Sequence, residues 1–192
     1  GVTTRLGENH YIMTTTTGGA ANVLNKLEDY LQTEWPELDV YLTTVTDHFS
    51  TISICGPNSK KIVNKMIPDL DLSDQNFPHM SFKNSSINGV RCRVMRISFT
   101  GEHSYEINIQ SNYAKNVWEM SMEAGKEYNI TPYGTETMHL LRAEKGLIIT
   151  GQDTDGTLTP IDLQMDWIVS KKKYDFIGKR SLYRSDTIRE DR

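Results

Sequence analysis

The sequence predicts an α+β fold, with mixed or antiparallel sheets, helices packed against them and a strand-rich C-terminal tail. Three observations lead there. Short β-branched stretches alternate with segments whose apolar residues recur at helical spacing. An Asn88-Gly89 pair separates two strand-like runs, the strongest short-range hairpin signal. No repeat, heptad or low-complexity linker interrupts the pattern, and 37% hydrophobic composition over 192 residues suffices for a core in one domain or two small ones.

The elements follow in order. Residues 2–6 read as a strand or strand edge from the outset, as though the chain enters in the middle of a fold, and a fragment is expected. Residues 11–17 form a second strand that Gly18-Gly19 breaks, after which Ala20, Val23, Leu24, Leu27 and Leu31 mark a helix ending near Trp35-Pro36. Strands are expected over 40–46 and 51–54, joined at Asp47-His48. Gly56-Pro57-Asn58-Ser59 then opens a helix with Ile62, Val63, Met66 and Ile67 inward. Next come a strand over 80–83, the Asn88-Gly89 turn, and strands over 90–99 and 105–109. Helices are expected over about 111–128, with Val117, Trp118 and Ala124 on one face, and about 134–145, before a strand around 167–170.

Charge and composition exclude several classes. A net charge of −4, with basic residues scattered except at Lys171-Lys172-Lys173, offers no stripe to neutralise a nucleic-acid backbone. No apolar run approaches the roughly 20 residues that cross a bilayer, so neither nucleic acid nor membrane is an expected partner. Cys55 and Cys92 stand apart in apolar strand-like settings, which suits reduced thiols in a cytoplasmic protein, and neither belongs to a zinc-type CxxC. The five histidines share no metal-ligand spacing, so no metal is expected. Thr17-Gly18-Gly19-Ala20 lacks the spacing of a dinucleotide or Walker loop.

Two stretches are dense in chemistry. Arg142-Ala143-Glu144-Lys145-Gly146, followed by the loop Gly151–Pro160, combines a glycine helix exit with a polar turn; Asp153 and Asp155 are expected to fix that loop through bonds to backbone N–H groups. In the hairpin Ser98–Ile107, alternation puts Tyr105, Ile107 and Ile109 on one strand face and Glu106 and Asn108 on the other. Glu106 is therefore either a solvated surface residue or a rigid carboxylate able to take two parallel hydrogen bonds from a heterocycle with adjacent N–H and amino donors, such as a pterin.

Here the residues resemble a known family. "SFTGEHSYEI" is similar to the TGE-x-x-[FY]-E-[IV] strand signature of the folate-binding aminomethyltransferases, whose type member is the T-protein of the glycine cleavage system. "YGTETMHLLRAEKGLIITGQDTDGTLTPIDLQMDW" with "DFIGKRSL", and "TTTTGGAANVLNKLEDYLQTEWPELDVYLTTVTDHFSTISICGP", resemble the sarcosine oxidase alpha-subunit branch of that family. The resemblance implies a T-protein-like fold, with 1–145 the folate-binding region lacking its N-terminal part and 146–192 a strand-rich segment of the same fold. It implies tetrahydrofolate as cofactor and a sarcosine-derived imine as substrate, with Glu106 on the pterin edge and Tyr105 in the folate-site wall. Flavins, NAD and the other sarcosine oxidase subunits belong to the rest of the parent complex. The family's promoting aspartate is expected upstream of Gly1, so no catalytic residue is assigned within the chain. Met138 replaces an arginine of the glycine-cleavage branch, which favours the oxidase branch. A non-catalytic folate-binding or subunit-docking module is the alternative.

Overall fold

The computed structural model describes residues 1–184. The chain divides into two compact units, Gly1–Leu141 and Arg142–Arg192. The α+β expectation holds, with every strand pair antiparallel.

The first unit begins with a hairpin of β1 (Val2–Gly7) and β2 (His10–Thr14), whose turn Arg5 closes by donating to the carbonyls of Gly7 and Glu8 at 3.1 and 3.0 Å. Helix α1 (Ala20–Thr33) follows a short 3₁₀ turn and carries the expected stripe of Val23, Leu24, Leu27 and Leu31 half-buried. It ends where Trp35 folds back onto Tyr30, ring centroids 5.1 Å apart, just before Pro36.

The strand expected over 40–46 does not form. Tyr41 is almost wholly exposed, and the hydroxyls of Thr44 and Thr46 bond to each other at 3.2 Å. β-branched composition favours a pleated surface only where a neighbouring strand provides one, and none pairs here.

The central sheet runs β3-β6-β5-β4, built from β3 (Phe49–Cys55), β4 (Phe82–Ile87), β5 (Val90–Met95) and β6 (Ser104–Gln110). Asn88 and Gly89 turn the β4–β5 hairpin at φ 49° and 80°, the left-handed pair a two-residue turn requires. The strand expected over 80–83 starts instead at Phe82, because Met80 has φ 62° and breaks the pleat. β5 stops at Met95 rather than Phe99; Arg96 makes one further bond to Ser81, and the chain then swings into the 97–103 loop.

Helices α2 (Ser59–Met66) and α3 (Ala114–Gly125) cover one face of this sheet. 3₁₀ turns at Ser111–Tyr113 and Lys126–Tyr128 complete the span expected as a single helix. Ile52, Ile54, Tyr105, Ile107, Ile109 and Val94 meet Ile62, Val63, Met66, Phe77 and Val117 in the core. Each aliphatic side chain so buried contributes about 1.5–3 kcal/mol. Gly125 is required where the chain turns back, since a Cβ there would stand 2.6 Å from Ile130.

Helix α4 (Thr135–Glu144) leads into the second unit and ends at Gly146, whose φ of 72° allows Gly146 and Leu147 to bond back to Ala143 and Arg142 at 2.9 Å each. The strand expected around 167–170 is corrected. Asp166–Ile168 is a 3₁₀ turn closed by local bonds, Trp167 lies largely exposed, and no strand follows Gln110 among the described residues. Without a partner ladder, local i→i+3 bonds satisfy that backbone instead.

Candidate functional site

Directly opposed residues of antiparallel strands share a face. The pairings Ser53↔Glu106, Thr51↔Asn108, Cys55↔Ser104 and Arg93↔Asn108 therefore gather a polar patch on the sheet face away from α2 and α3. Asn108 is nearly buried there and donates to Thr51 Oγ1 at 3.3 Å. Glu106 is half-buried on the middle strand, and burial pushes its carboxyl above the usual range. Among the described residues its carboxylate makes no hydrogen bond or ion pair.

Arg93 adds a guanidinium whose Nε and Nη1 are buried without hydrogen-bond partners among the described residues and whose Cζ lies 5.9 Å from the Phe82 ring. Across β3, the Tyr133 phenol is pushed up to about 12, first by burial and then by Cys55; Glu106 raises it further and a bond with Ser53 opposes the shift. Sequence reasoning missed both residues. Tyr133 is distant along the chain from Ser53 and Cys55, and an arginine within a strand pattern carries no local signal.

Tyr105 is not brought to this patch. Its ring is fully buried on the core face, 5.7 Å from Phe77 and 5.2 Å from His103. The two-residue strand period sends neighbours to opposite faces, so Tyr105 does not form a wall beside Glu106. It packs in the core, with no hydrogen-bond partner for its Oη among the described residues.

The loop before β6 is pinned. Ser59, buried at the start of α2, bonds through Oγ to both the Nδ1 and the carbonyl of His103, at 2.9 and 3.0 Å, while Gly56 N–H donates to the same carbonyl at 2.8 Å. Burial first, and Arg96 second, hold the imidazole below its ordinary range. Gly101 turns at φ 75°, and Glu102 N–H reaches Thr100 Oγ1 at 3.4 Å. These contacts fix the phase in which β6 begins, and with it the face Glu106 occupies. Ser59 gave no sequence signal beyond its place at a helix start.

Beside the patch, a cavity of about 460 Å³ opens between β3 and residues 128–133, with Ser53, Cys55, Trp118 and Tyr133 in its lining. In the second unit, Arg142 is buried and paired with Asp153, with Nη2 to Oδ1 at 3.2 Å and a further bond from Nη1 to the Leu147 carbonyl at 3.0 Å. Asp153 also accepts from Ile149 N–H at 2.7 Å. Asp155 accepts from Thr157 N–H and Oγ1 at 2.9 and 2.6 Å, and these bonds hold its carboxyl below the usual range. Both acids are engaged in bonds that hold their own loop. Among the described residues no cluster of His, Cys, Asp and Glu is arranged to hold a metal ion, and no helix is long and apolar enough to cross a membrane.

The family model described as GCVT N-terminal domain matches residues 1–173. The chain belongs to that family. Over its whole length it is 57% identical to sarcosine oxidase subunit alpha of Corynebacterium sp. (strain P-1), of which it covers 20%. It is 42% identical to the same subunit of Rhizobium meliloti (strain 1021), again over 20% of that protein. An aminomethyltransferase of Thermoanaerobacter sp. (strain X514) is 35% identical over 75% of this chain and 39% of its own length. The chain thus spans about a fifth of the sarcosine oxidase relatives and is homologous to a segment of an enzyme subunit. A solved heterotetrameric sarcosine oxidase from Corynebacterium sp. U-96, in complex with pyrrole 2-carboxylate, overlaps 57% of this chain and 54% of its own. The identity is 19% and the TM-score 0.46, too loose a likeness to build on. The family resemblance read from the sequence is thereby established.

Proposed function

We propose that this GCVT-family chain is the folate-binding portion of a sarcosine oxidase alpha subunit, where the one-carbon unit of a sarcosine-derived imine passes to tetrahydrofolate. The observation that carries the reading is Glu106, a half-buried carboxylate on a central strand with no hydrogen bond or ion pair from the described residues. An acceptor-only group in that state matches the adjacent N–H and amino donors of a pterin edge. The full-length similarity to sarcosine oxidase alpha subunits supports the substrate assignment.

When bound, tetrahydrofolate would supply N5 and N10, which both bond the imine's methylene carbon as its bond to the imine nitrogen breaks and their protons pass to the departing amine, giving 5,10-methylenetetrahydrofolate and glycine. This chain's residues contribute orientation. Glu106 holds the ring edge, and the pairing of β6 with both β3 and β5 keeps the carboxylate from drifting. By this reading the imine arrives from flavin chemistry in other parts of the parent complex, and NAD and the other sarcosine oxidase subunits belong there too. The isolated chain binds folate without turnover.

The test is calorimetric titration of tetrahydrofolate into the chain and its Glu106→Gln variant. Losing one charge-assisted partner of a bidentate pair weakens binding by about 1.5–3 kcal/mol. Equal affinity in the two proteins, or none in the unmodified chain, overturns the reading.

A further inference from the structure

We infer that Tyr133 is the aromatic wall of the Glu106 site, and that the cavity between β3 and residues 128–133 receives the flat face of a heteroaromatic ring whose donor edge Glu106 holds. The inference rests on the folate reading above and adds where the ring lies and which side chain it stacks on.

The cavity has the size of a small-ligand site, since such pockets commonly measure about 300–1,000 Å³, and its volume here is about 460 Å³. Its floor is the edge strand β3, whose Ser53 is the register partner of Glu106. Ser53 and Cys55 reach the cavity from the Glu106 face of β3, Ile52, Ile54, Trp118 and Met122 line it from the helix side, and Glu106 itself lies one strand in from the lining. The aromatic side chain adjacent to Glu106 in sequence, Tyr105, is buried on the other face and is excluded from this role.

Tyr133 is held in place from both ends. Its side chain lines the cavity together with Ser53 and Cys55. Its backbone leaves a rigid turn: Asn129 adopts φ 56°, Ile130 N–H bonds to the Gly125 carbonyl at 3.1 Å, and Gly125 has no room for a Cβ against Ile130. Pro132 then restricts the approach to Tyr133. A pre-positioned aromatic ring beside an unoccupied acceptor loses little freedom when it stacks on a planar ligand, which is the arrangement that favours ring binding.

Cys55 lines the same cavity and reports its occupancy without any activity assay. It is half-buried, whereas Cys92 is buried with its thiol pushed up to about 11, so an alkylating reagent distinguishes the two. The experiment follows N-ethylmaleimide modification of the full chain by intact mass, with 6-methyltetrahydropterin or 5-formyltetrahydrofolate as probe, alongside affinity titrations.

Both probes are expected to slow modification of Cys55. Tyr133→Leu should weaken both by roughly tenfold, the scale of one ring–aromatic stack, with loss of the protection. Tyr133→Phe and Tyr105→Phe should keep the affinity, and thermal melts confirm that each variant is folded. If the probes bind in a Glu106-dependent way while Cys55 stays reactive and Tyr133→Leu binds normally, this inference fails and the folate reading stands. Protection and affinity that persist unchanged in Glu106→Gln overturn the folate reading and this inference together, since both give Glu106 the donor edge. No binding of either probe to the unmodified chain overturns both. Protection only by an added extended peptide, which would pair with the open edge of β3, also overturns the inference.

Discussion

Removing Asp153 tests how the second unit holds its loop. The Arg142 side chain is 8% exposed and that of Asp153 32%, so the pair is sheltered on the arginine side and wetter on the carboxylate side. Asp153→Ala strips Arg142 of its counter-charge and Ile149 N–H of its acceptor at once, while Arg142 Nε already lacks a partner among the described residues. Breaking a fully buried pair costs about 3–5 kcal/mol, and the partial exposure of Asp153 reduces this to about 2–3 kcal/mol. Asp153→Asn keeps one acceptor oxygen without the charge and should cost about 1–2 kcal/mol. Hydrogen exchange read at the Ile149 amide, together with urea melts of both variants, measures the effect. Ile149 should lose protection in Asp153→Ala, less so in Asp153→Asn. Melts within about 0.5 kcal/mol of the unmodified chain, the scale of a surface substitution, would show the pair to be ornamental.

Three further outcomes follow. Ligand affinity should fall as pH drops through the raised titration of Glu106, starting above the usual carboxyl value of 4.5 because binding needs the carboxylate; the same pH series on Glu106→Gln should be flat. Asp71, held down to about 2 by Ser73 and Asn76, contributes stability that is fully present above its ordinary 3.8 and lost as pH falls from there towards 2; in acid titrations, Asp71→Asn should remove that part of the stability slope. Ser59→Ala leaves the His103 imidazole and carbonyl short of one partner and should destabilise the first unit by about 1–3 kcal/mol, with raised exchange across 100–104 as the check.

What the sequence made legible was local. The period-2 pattern of residues 105–109 located β6 and both of its faces, and Asn88-Gly89 located the hairpin, because each signal lies within a few residues of its consequence. Residues 40–46 and 167–170 show the limit: β propensity marks a segment able to pair but says nothing of whether a strand lies beside it. The site divides the same way. Glu106 was visible as a rigid carboxylate after a glycine turn. The family resemblance puts Tyr105 in the same wall, although alternation places it on the opposite face. Tyr133 and Arg93 join the patch through tertiary pairing alone, the first across β3 and the second by its register with Asn108.

A crystal structure of the chain with 5-formyltetrahydrofolate tests most directly whether Glu106 receives the donor edge of a pterin. The ring's N3–H and 2-amino group should each lie about 2.7–3.0 Å from a Glu106 carboxylate oxygen, the distance of a charge-assisted pair. A ligand bound elsewhere, or one whose donor edge faces solvent while Glu106 contacts only water, would contradict it.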